Sequence, residues 1–116
     1  MSAPPLWVID EVTTRPGQGP AFLAAYMERY APGAEPRGMT LAHRMVEPAM
    51  WLDDAPNRLL FIWTLPDAGA VWTAKHAARP DPAVARWWNE EAPAFLLSRK
   101  RSTLASAEAL EALDHV

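Results

Sequence analysis

The sequence predicts an α+β domain in which a four-stranded antiparallel sheet carries helices on one face. Two observations predict this class. Four segments have the length and boundaries of strands, of which the first and third are rich in β-branched and aromatic residues, and apolar residues recur at helical spacing after these two. At 116 residues the chain has the length of one domain. We expect its core over about residues 6–104 and a helical tail over 105–116.

The first strand is predicted over Leu6–Thr13, and it ends before Arg15-Pro16-Gly17 because proline and glycine interrupt strands. A helix follows, since Pro20 suits the first helical turn and apolar residues recur at helical spacing up to Tyr30. Pro32-Gly33 is expected to end this helix.

The second and third strands are predicted over Met39–Val46 and Arg58–Leu65, joined by a long connection over Glu47–Asn57. The third strand is apolar on both faces, which implies that both faces are covered. Regular alternation assigns the side chains of the second strand to two faces, with Leu41, His43 and Met45 on one and Ala42, Arg44 and Val46 on the other.

Two aspartates predict the starts of further helices. Asp67 suits the N-cap of a helix through Ala77, and Asp81-Pro82 combines a capping side chain with a proline at the first helical position. The last strand is predicted over Leu97–Leu104. The order β-α-β-β-α-β is the split βαβ arrangement of a ferredoxin-like fold.

This arrangement places both helical layers on one sheet face and leaves the other face open. A large apolar surface in water favours association. Packing two sheets face to face about a twofold axis covers the open face of both copies. We therefore predict a homodimer.

The composition excludes several classes of function. A net charge of −3 gives no basic surface for a nucleic acid. The absence of cysteine excludes disulfides and thiolate metal sites and fits a reducing cytoplasm. The N-terminal residues do not read as a signal peptide, and no segment approaches the ~20 apolar residues of a membrane span. We expect a cytoplasmic protein that binds neither nucleic acid nor membrane.

The chain resembles the dimeric α+β barrel superfamily, and within it the NIPSNAP-like and antibiotic-biosynthesis-monooxygenase-like groups. The resemblance covers roughly Trp7 to Leu104. It is carried by the strand ending in Arg15-Pro16-Gly17 with Phe22 on the helix behind it, and by Phe61-Ile62-Trp63 leading to Trp72 through His76. In the monooxygenase-like group a histidine commonly occupies a position similar to that of His76. The resemblance implies a pocket between sheet and helices in each subunit.

Members of this superfamily include cofactor-independent monooxygenases, polyketide cyclases, isomerases of small lactones, and haem-degrading or haem-binding proteins. The haem-degrading relatives use an asparagine on the first strand, where this chain has Asp10 and Glu11. The resemblance therefore implies a fold and a pocket, and the reaction has to be argued from the site.

His76 and Asp10 are the candidate catalytic residues. Trp72 and His76 are four residues apart and share a helix face, so an imidazole facing the sheet could move a proton on a phenol or enol. Alternatively, His76 only interacts with the C-terminal end of its helix. Asp10 could orient this imidazole or act as a base. Its alternative is a structural ion pair with Arg44, Arg99 or Arg101.

The candidate ligand-binding residues are mostly aromatic, since large aromatic side chains suit the walls of an apolar pocket. Tyr26 could contact a ligand oxygen through its hydroxyl, while a histidine such as His43 is more often a hydrogen-bonded core residue. The run Arg99-Lys100-Arg101 is most simply a solvated strand edge, although one arginine turned inward could hold an acidic ligand group. The ligand-binding set is Trp63, Trp72, Trp88, Tyr26, His43 and Arg44.

These observations favour a small homodimeric enzyme that binds an apolar aromatic or polycyclic molecule. The predicted chemistry is cofactor-independent oxygenation, or a proton transfer such as cyclisation or isomerisation, with no cofactor and no metal site. The alternative is a non-catalytic protein of the same fold that binds a small ligand, or haem through His76 or His43.

Overall fold

The computed structural model describes residues 5–114 and shows a four-stranded antiparallel sheet. The strands are β1 (Leu6–Thr14), β2 (Thr40–Glu47), β3 (Arg58–Leu65) and β4 (Leu96–Ala105), in the spatial order β2-β3-β1-β4. This is the order of a ferredoxin-like sheet, so the predicted α+β class is confirmed. Residues 1–4, and the last two residues of the predicted tail, lie outside the described part.

The first helical layer runs further than the sequence predicts. Pro32 lies in the first turn of a helical segment, where no amide donor is needed, so Pro32-Gly33 does not end the helix. The chain leaves the helix at Gly38, whose φ of 95° suits glycine. The layer comprises α1 (Gly19–Ala25), a π-helical turn (Tyr26–Tyr30), α2 (Ala31–Ala34) and a 3-10 turn (Glu35–Arg37).

The second helical layer begins at the predicted caps. The Asp67 carboxylate accepts a hydrogen bond of 2.7 Å from the amide of Ala70, and the Asp81 carboxylate accepts one of 2.9 Å from Ala83. The layer comprises α3 (Ala68–Ala78), α4 (Pro82–Arg86), a π-helical turn (Trp87–Glu91) and a 3-10 turn (Ala92–Ala94), and the tail forms α5 (Ala107–Asp114).

The predicted alternation of the second strand is wrong because β2 contains an irregularity. Leu41 pairs with Trp63, but the next paired residue is His43, which pairs with Ile62. One extra residue in a strand reverses the faces beyond it. Leu41 and Arg44 therefore lie on the helix side, whereas His43 lies on the open side.

An aromatic cluster fills the middle of the space between the sheet and the helices. The rings of Tyr26 and Phe61 stack with centroids 3.7 Å apart, and those of Phe22 and Trp87 lie 5.7 Å apart. All four side chains are buried, as is Trp63. Phe22 is a fully buried member of this core cluster.

The open face of the sheet is apolar over much of its area. Within the single chain residues 60 and 62 of β3 are only partly buried on this face, in line with helices on one sheet face alone, and its cover by a second copy stays a prediction. A charged end adjoins this apolar area, where Arg58 pairs with Glu11 at 2.9 Å and with Glu47 at 3.3 Å. The apolar members of the open face are Trp7, Ile9, Met45, Leu60, Ile62 and Leu104.

Among residues 5–114, no helix combines the length and the apolar character that a bilayer span requires.

Asn57 holds the connection between β2 and β3. Its buried side chain accepts a hydrogen bond from the amide of Leu52 at 3.0 Å and donates to the carbonyl oxygens of Met50 and Glu47. The backbone of Asn57 also pairs with Thr14 at the end of β1. This single residue therefore satisfies the polar groups of a connection that has no regular structure.

Replacing Asn57 by alanine is expected to lower the free energy of unfolding by about 2 kcal/mol, because buried groups of the connection lose their partners. Urea unfolding measures this change. The control is Asp54→Ala, an exposed position in the same connection, which should be nearly neutral. Equal effects of the two substitutions would contradict the role of Asn57.

Candidate functional site

A cavity of about 350 Å³ lies between the helix side of the sheet and the second helical layer. The cavity lies beside the aromatic cluster, at the end of the sheet where β1 starts and where β3 and β4 end. The cavity lies where the resemblance implies a pocket, and its use by a ligand stays a prediction. Its walls are mainly aliphatic, and they consist of Val8 and Leu65 from the sheet, Met39 before β2, Val71, Ala74 and Ala78 from α3, and Val84 and Ala85 from α4.

The polar part of the cavity lining is cationic. Apart from Thr103, the polar side chains that line it are Arg37, Lys75, Arg79 and Arg101, and no aspartate or glutamate lines it within residues 5–114. Charges of one sign on low-dielectric walls concentrate the field inside a cleft. The cavity therefore favours an anionic group.

Asp10 is buried beside the cavity and fixes Arg101. The register of β1 and β4 places these residues opposite each other. Arg101 donates from Nε to Oδ1 of Asp10 at 2.6 Å and from Nη2 to Oδ2 at 2.8 Å. The Tyr26 hydroxyl donates to the same Oδ2 at 2.7 Å. Because Asp10 is only 1% exposed, these partners supply the stabilisation that its charge loses on leaving water.

Two further bonds extend this network into the core. The indole nitrogen of Trp63 donates to the Tyr26 oxygen at 2.8 Å, and Arg101 donates from Nη2 to the Tyr30 oxygen at 2.6 Å. Burial, together with the charge of Asp10, raises the pKa of Tyr26 well above its ordinary value. Tyr26 therefore remains protonated and continues to donate to Asp10.

The two arginines of β4 that face the helices differ in their environments. Burial lowers the pKa of Arg101, but the hydrogen bonds and charge of Asp10 outweigh burial and the net shift is upward. Burial, and secondly the charge of Arg101, lower the pKa of Arg99, whose guanidinium lies 4.1 Å from the centre of the Trp88 ring. Arg99 and Arg101 thus remain exposed on the edge strand β4, as the sequence predicts, but their guanidinium groups turn inward to Trp88 and Asp10.

His76 lies outside the cavity. It is exposed on α3 beside Trp72, which is 62% exposed, and their ring centres are 6.5 Å apart. The prediction that this helix face turns to the sheet is wrong, because the smaller Val71 and Ala74 occupy the inner face and allow α3 to approach the strands. From this position the imidazole does not act on a molecule in the cavity.

The predicted carboxylate base and two predicted wall residues belong to the core network. Asp10, Tyr26 and Trp63 are bonded in series, and none of them lines the cavity. Of the two alternatives for Asp10, the geometry provides the structural ion pair, with Arg101 as its partner. The carboxylate is occupied by three donor contacts, so its placement does not suit the predicted role of a base.

The other predicted ligand-binding residues lie at separate places. Trp88 is buried and lines a small recess with Arg99. His43 and Arg44 are exposed on the edge strand β2, where they line a shallow recess beside Met27. The structure therefore unites Asp10, Tyr26 and Trp63 but does not bring them together with His76, Trp72, His43 or Arg44.

Solved structures of similar fold were found by comparison. An uncharacterised NIPSNAP domain protein from Burkholderia xenovorans superposes with a TM-score of 0.65 at 17% identity, covering 88% of this chain and 94% of that chain. A NIPSNAP family protein from Agrobacterium tumefaciens gives 0.68 at 12%, with 95% and 94% covered. The chain has the fold of the NIPSNAP proteins. At these identities the likeness concerns fold alone, and it confirms the NIPSNAP-like resemblance at that level.

A second NIPSNAP family protein from Agrobacterium tumefaciens, described as of unknown function, gives a TM-score of 0.68 at 10% identity, with 92% and 95% covered. No protein family profile matches the sequence, and no curated protein does. The chemistry of this NIPSNAP-fold protein therefore has to be derived from its own residues.

Most of the cavity-lining residues were not predicted from the sequence. One signal was available on α3, where Val71, Ala74, Lys75 and Ala78 recur at helical spacing and form a face as regular as that of Trp72 and His76. For Arg37 and Met39 no comparable signal exists, because their position depends on where the first helical layer ends. In residues 5–114, no group of three histidine, aspartate or glutamate side chains is placed to hold a metal ion.

Arg101→Met is expected to lower the free energy of unfolding by about 2–4 kcal/mol, since it leaves the Asp10 carboxylate buried without its cation. The effect is less than that of a fully buried pair because the Arg101 side chain is 34% exposed. Urea unfolding measures it, with Lys100→Met as the control on the opposite sheet face. The double variant Asp10→Leu/Arg101→Met should regain part of the loss, and a double variant less stable than Arg101→Met would contradict the pair.

Tyr26 is expected to contribute to alkaline unfolding. Because its folded pKa is raised above the ordinary value of 10.0, its stabilisation is complete below about pH 10 and is lost as the pH rises towards the raised pKa. Tyr26→Phe should therefore lose less unfolding free energy than the unsubstituted protein between about pH 8 and pH 11. Urea titrations at both pH values test this, and equal losses in the two proteins would contradict it.

Proposed function

We propose that this protein is a homodimer in which each subunit binds a small, largely apolar organic molecule in the cavity between the sheet and the second helical layer. The cavity itself is the observation that carries the proposal. Its volume of about 350 Å³ falls within the range of about 300–1,000 Å³ that is usual for ligand sites. Its aliphatic walls and few polar groups are also the usual composition of such sites.

The lining favours binding over turnover. No aspartate, glutamate or histidine of the described chain lines the cavity, so a bound molecule meets no carboxylate or imidazole that could accept its proton. Guanidinium groups keep their protons in proteins and do not replace such a base. The one amine in the lining, that of Lys75, lies over the exposed Trp72 ring, which is outside the cavity. We therefore propose the non-catalytic alternative, a ligand-binding protein, as the better supported of the two functions predicted from the sequence.

One property of the cavity suits the predicted oxygenation or isomerisation. Cations that face the reacting molecule stabilise negative charge that develops on an enolate or phenolate oxygen. Product analysis under air, with enolisable ketones and phenols that bind, distinguishes the two functions. We expect binding without conversion, and turnover would favour the enzyme.

The lining also bears on the nature of the ligand. Because the cavity walls contain no aromatic side chain among the described residues, a flat aromatic ligand gains no stacking partner there. The cavity offers haem no histidine ligand either, since His43 and His76 lie outside it. The lining therefore favours neither aliphatic nor aromatic molecules of suitable size over the other, and both are candidates. Haem is not a candidate because the lining offers it no histidine ligand.

The open sheet face supports the homodimer. Its apolar members form a continuous area around Ile62, and on this face Met45 is 54% exposed and Leu104 is 43% exposed. A second copy related by a twofold axis would cover this area with an identical one, whereas the helix face already has its cover.

Ligand binding is tested with octanamide and 2-naphthamide, two neutral apolar molecules, by isothermal titration calorimetry. Ala78→Leu places a larger side chain in the cavity, reduces its free volume and should weaken binding by about tenfold or more. The matched control is Ala77→Leu at the next, exposed position, which should not change the affinity. If neither amide binds, or if both substitutions act alike, the proposed site is wrong.

The dimer is tested by sedimentation equilibrium. The unsubstituted protein should have twice the 12.9 kDa chain mass, whereas Ile62→Lys should sediment as a monomer because it places a charge in the apolar area. The control Ala24→Lys adds the same charge at an exposed position on α1 and should leave the dimer intact. A single-chain mass for the unsubstituted protein at all concentrations would reject the dimer.

A further inference from the structure

We propose that the molecule held in the cavity is an apolar monocarboxylate, whose carboxylate is bound by Arg37 and Arg101. The inference rests on the proposed function and narrows it to a class of ligand. It is carried by the distribution of charge in the cavity and by the hydrogen bonds of these two arginines, which are complete for most donors of Arg101 and poor for Arg37.

The first step concerns charge. Four cationic side chains line an otherwise apolar cavity, but Lys75 and Arg79 are exposed, and the Lys75 ammonium lies 5.5 Å from the centre of the exposed Trp72 ring. Asp10 offsets Arg101 through its bond, and no carboxylate of the described chain pairs with Arg37. Like charges gathered on low-dielectric walls repel one another, and one anionic group between them relieves that repulsion. A neutral or cationic ligand would leave the repulsion in place.

The second step concerns Arg101, which is held in position before any ligand arrives. Its Nε and Nη2 atoms donate to Asp10 and Tyr30, but its Nη1 atom donates to no residue of the described part. The guanidinium cannot turn without breaking these bonds. A ligand carboxylate that meets Nη1 therefore binds a preorganised donor and orders no further side chain.

The third step concerns Arg37, whose N–H groups have few hydrogen-bond acceptors within the described chain. Its Nε atom is buried without an acceptor in the described chain, and its contact from Nη2 to the Tyr30 oxygen is 3.5 Å long. This weak use leaves the Nη atoms of Arg37 available to a ligand, whereas its Nε has no exposed surface. The guanidinium lies 5.7 Å from the centre of the Tyr30 ring, which Arg101 also contacts, so the two arginines are close neighbours. A carboxylate has acceptor oxygens for both.

The fourth step concerns the rest of the ligand. Beyond the arginines, the walls are formed by aliphatic side chains such as Val8, Leu65 and Val71. An acid with a second charge or with several hydroxyl groups would leave polar groups unpaired against these walls. One carboxylate on an apolar body satisfies both parts of the cavity.

The experiment compares acids with their own amides, which have the same shape and no charge. Octanoate is titrated against octanamide, and 2-naphthoate against 2-naphthamide, by calorimetry at neutral pH. Each acid should bind about tenfold or more tightly than its amide. Raising the salt concentration should narrow the difference, because salt screens charges.

Arg37→Met should weaken the binding of the acids by about tenfold and that of the amides much less, so that most of the preference for the acids is lost. Arg86→Met, at an exposed arginine that does not line the cavity, is the matched control and should change neither. Arg101 is not substituted here because its loss leaves Asp10 without its cation. Circular dichroism verifies that both variants fold.

The outcomes separate this inference from the function on which it rests. If the amides bind as tightly as the acids, or if the preference survives in Arg37→Met, the carboxylate inference is overturned while the cavity remains a ligand site. If neither the acids nor the amides bind, the proposed function fails and the inference fails with it.

Discussion

The buried carboxylate of Asp10 is the group on which this architecture depends. It lies on a central strand of the sheet, on the side that faces the helices, where an unpaired charge would be strongly destabilising. It is stabilised by Arg101 from the edge strand β4 and by Tyr26 from the helical layer, and Tyr26 in turn accepts from Trp63 of β3. One carboxylate thus ties three strands and a helix together. It also fixes Arg101 at the cavity.

The two faces of the sheet divide the properties of the molecule between them. The helix side holds the aromatic cluster, the Asp10 network and the cavity, and the open side holds an apolar area next to a band of ion pairs. Because alternate residues of a strand point to opposite faces, adjacent residues serve different purposes. Asp10 supports the cavity, whereas its neighbour Glu11 pairs with Arg58 on the open side.

The sequence predicts those features that depend on local spacing. The strands, the caps Asp67 and Asp81, and a structural ion pair for Asp10 follow from alternation, capping preference and the cost of a buried charge. Which of three arginines pairs with Asp10 depends on the register of β1 and β4, which no local pattern encodes. The face of His43 was missed because one extra residue in β2 reverses the alternation. The inner face of α3 was missed because close packing on a sheet favours small residues such as Ala74 over Trp72.

Asp10 fixes Arg101 at the edge of the cavity that we propose to bind an anion. Nuclear magnetic resonance of the arginine Nε–H groups tests this arrangement most directly, because each arginine gives its own signal. We expect the Arg101 Nε–H to exchange with solvent far more slowly than that of exposed Arg86, and octanoate to shift the signals of Arg37 and Arg101. Exchange of Arg101 as fast as that of Arg86, with no shift on adding octanoate, would contradict it.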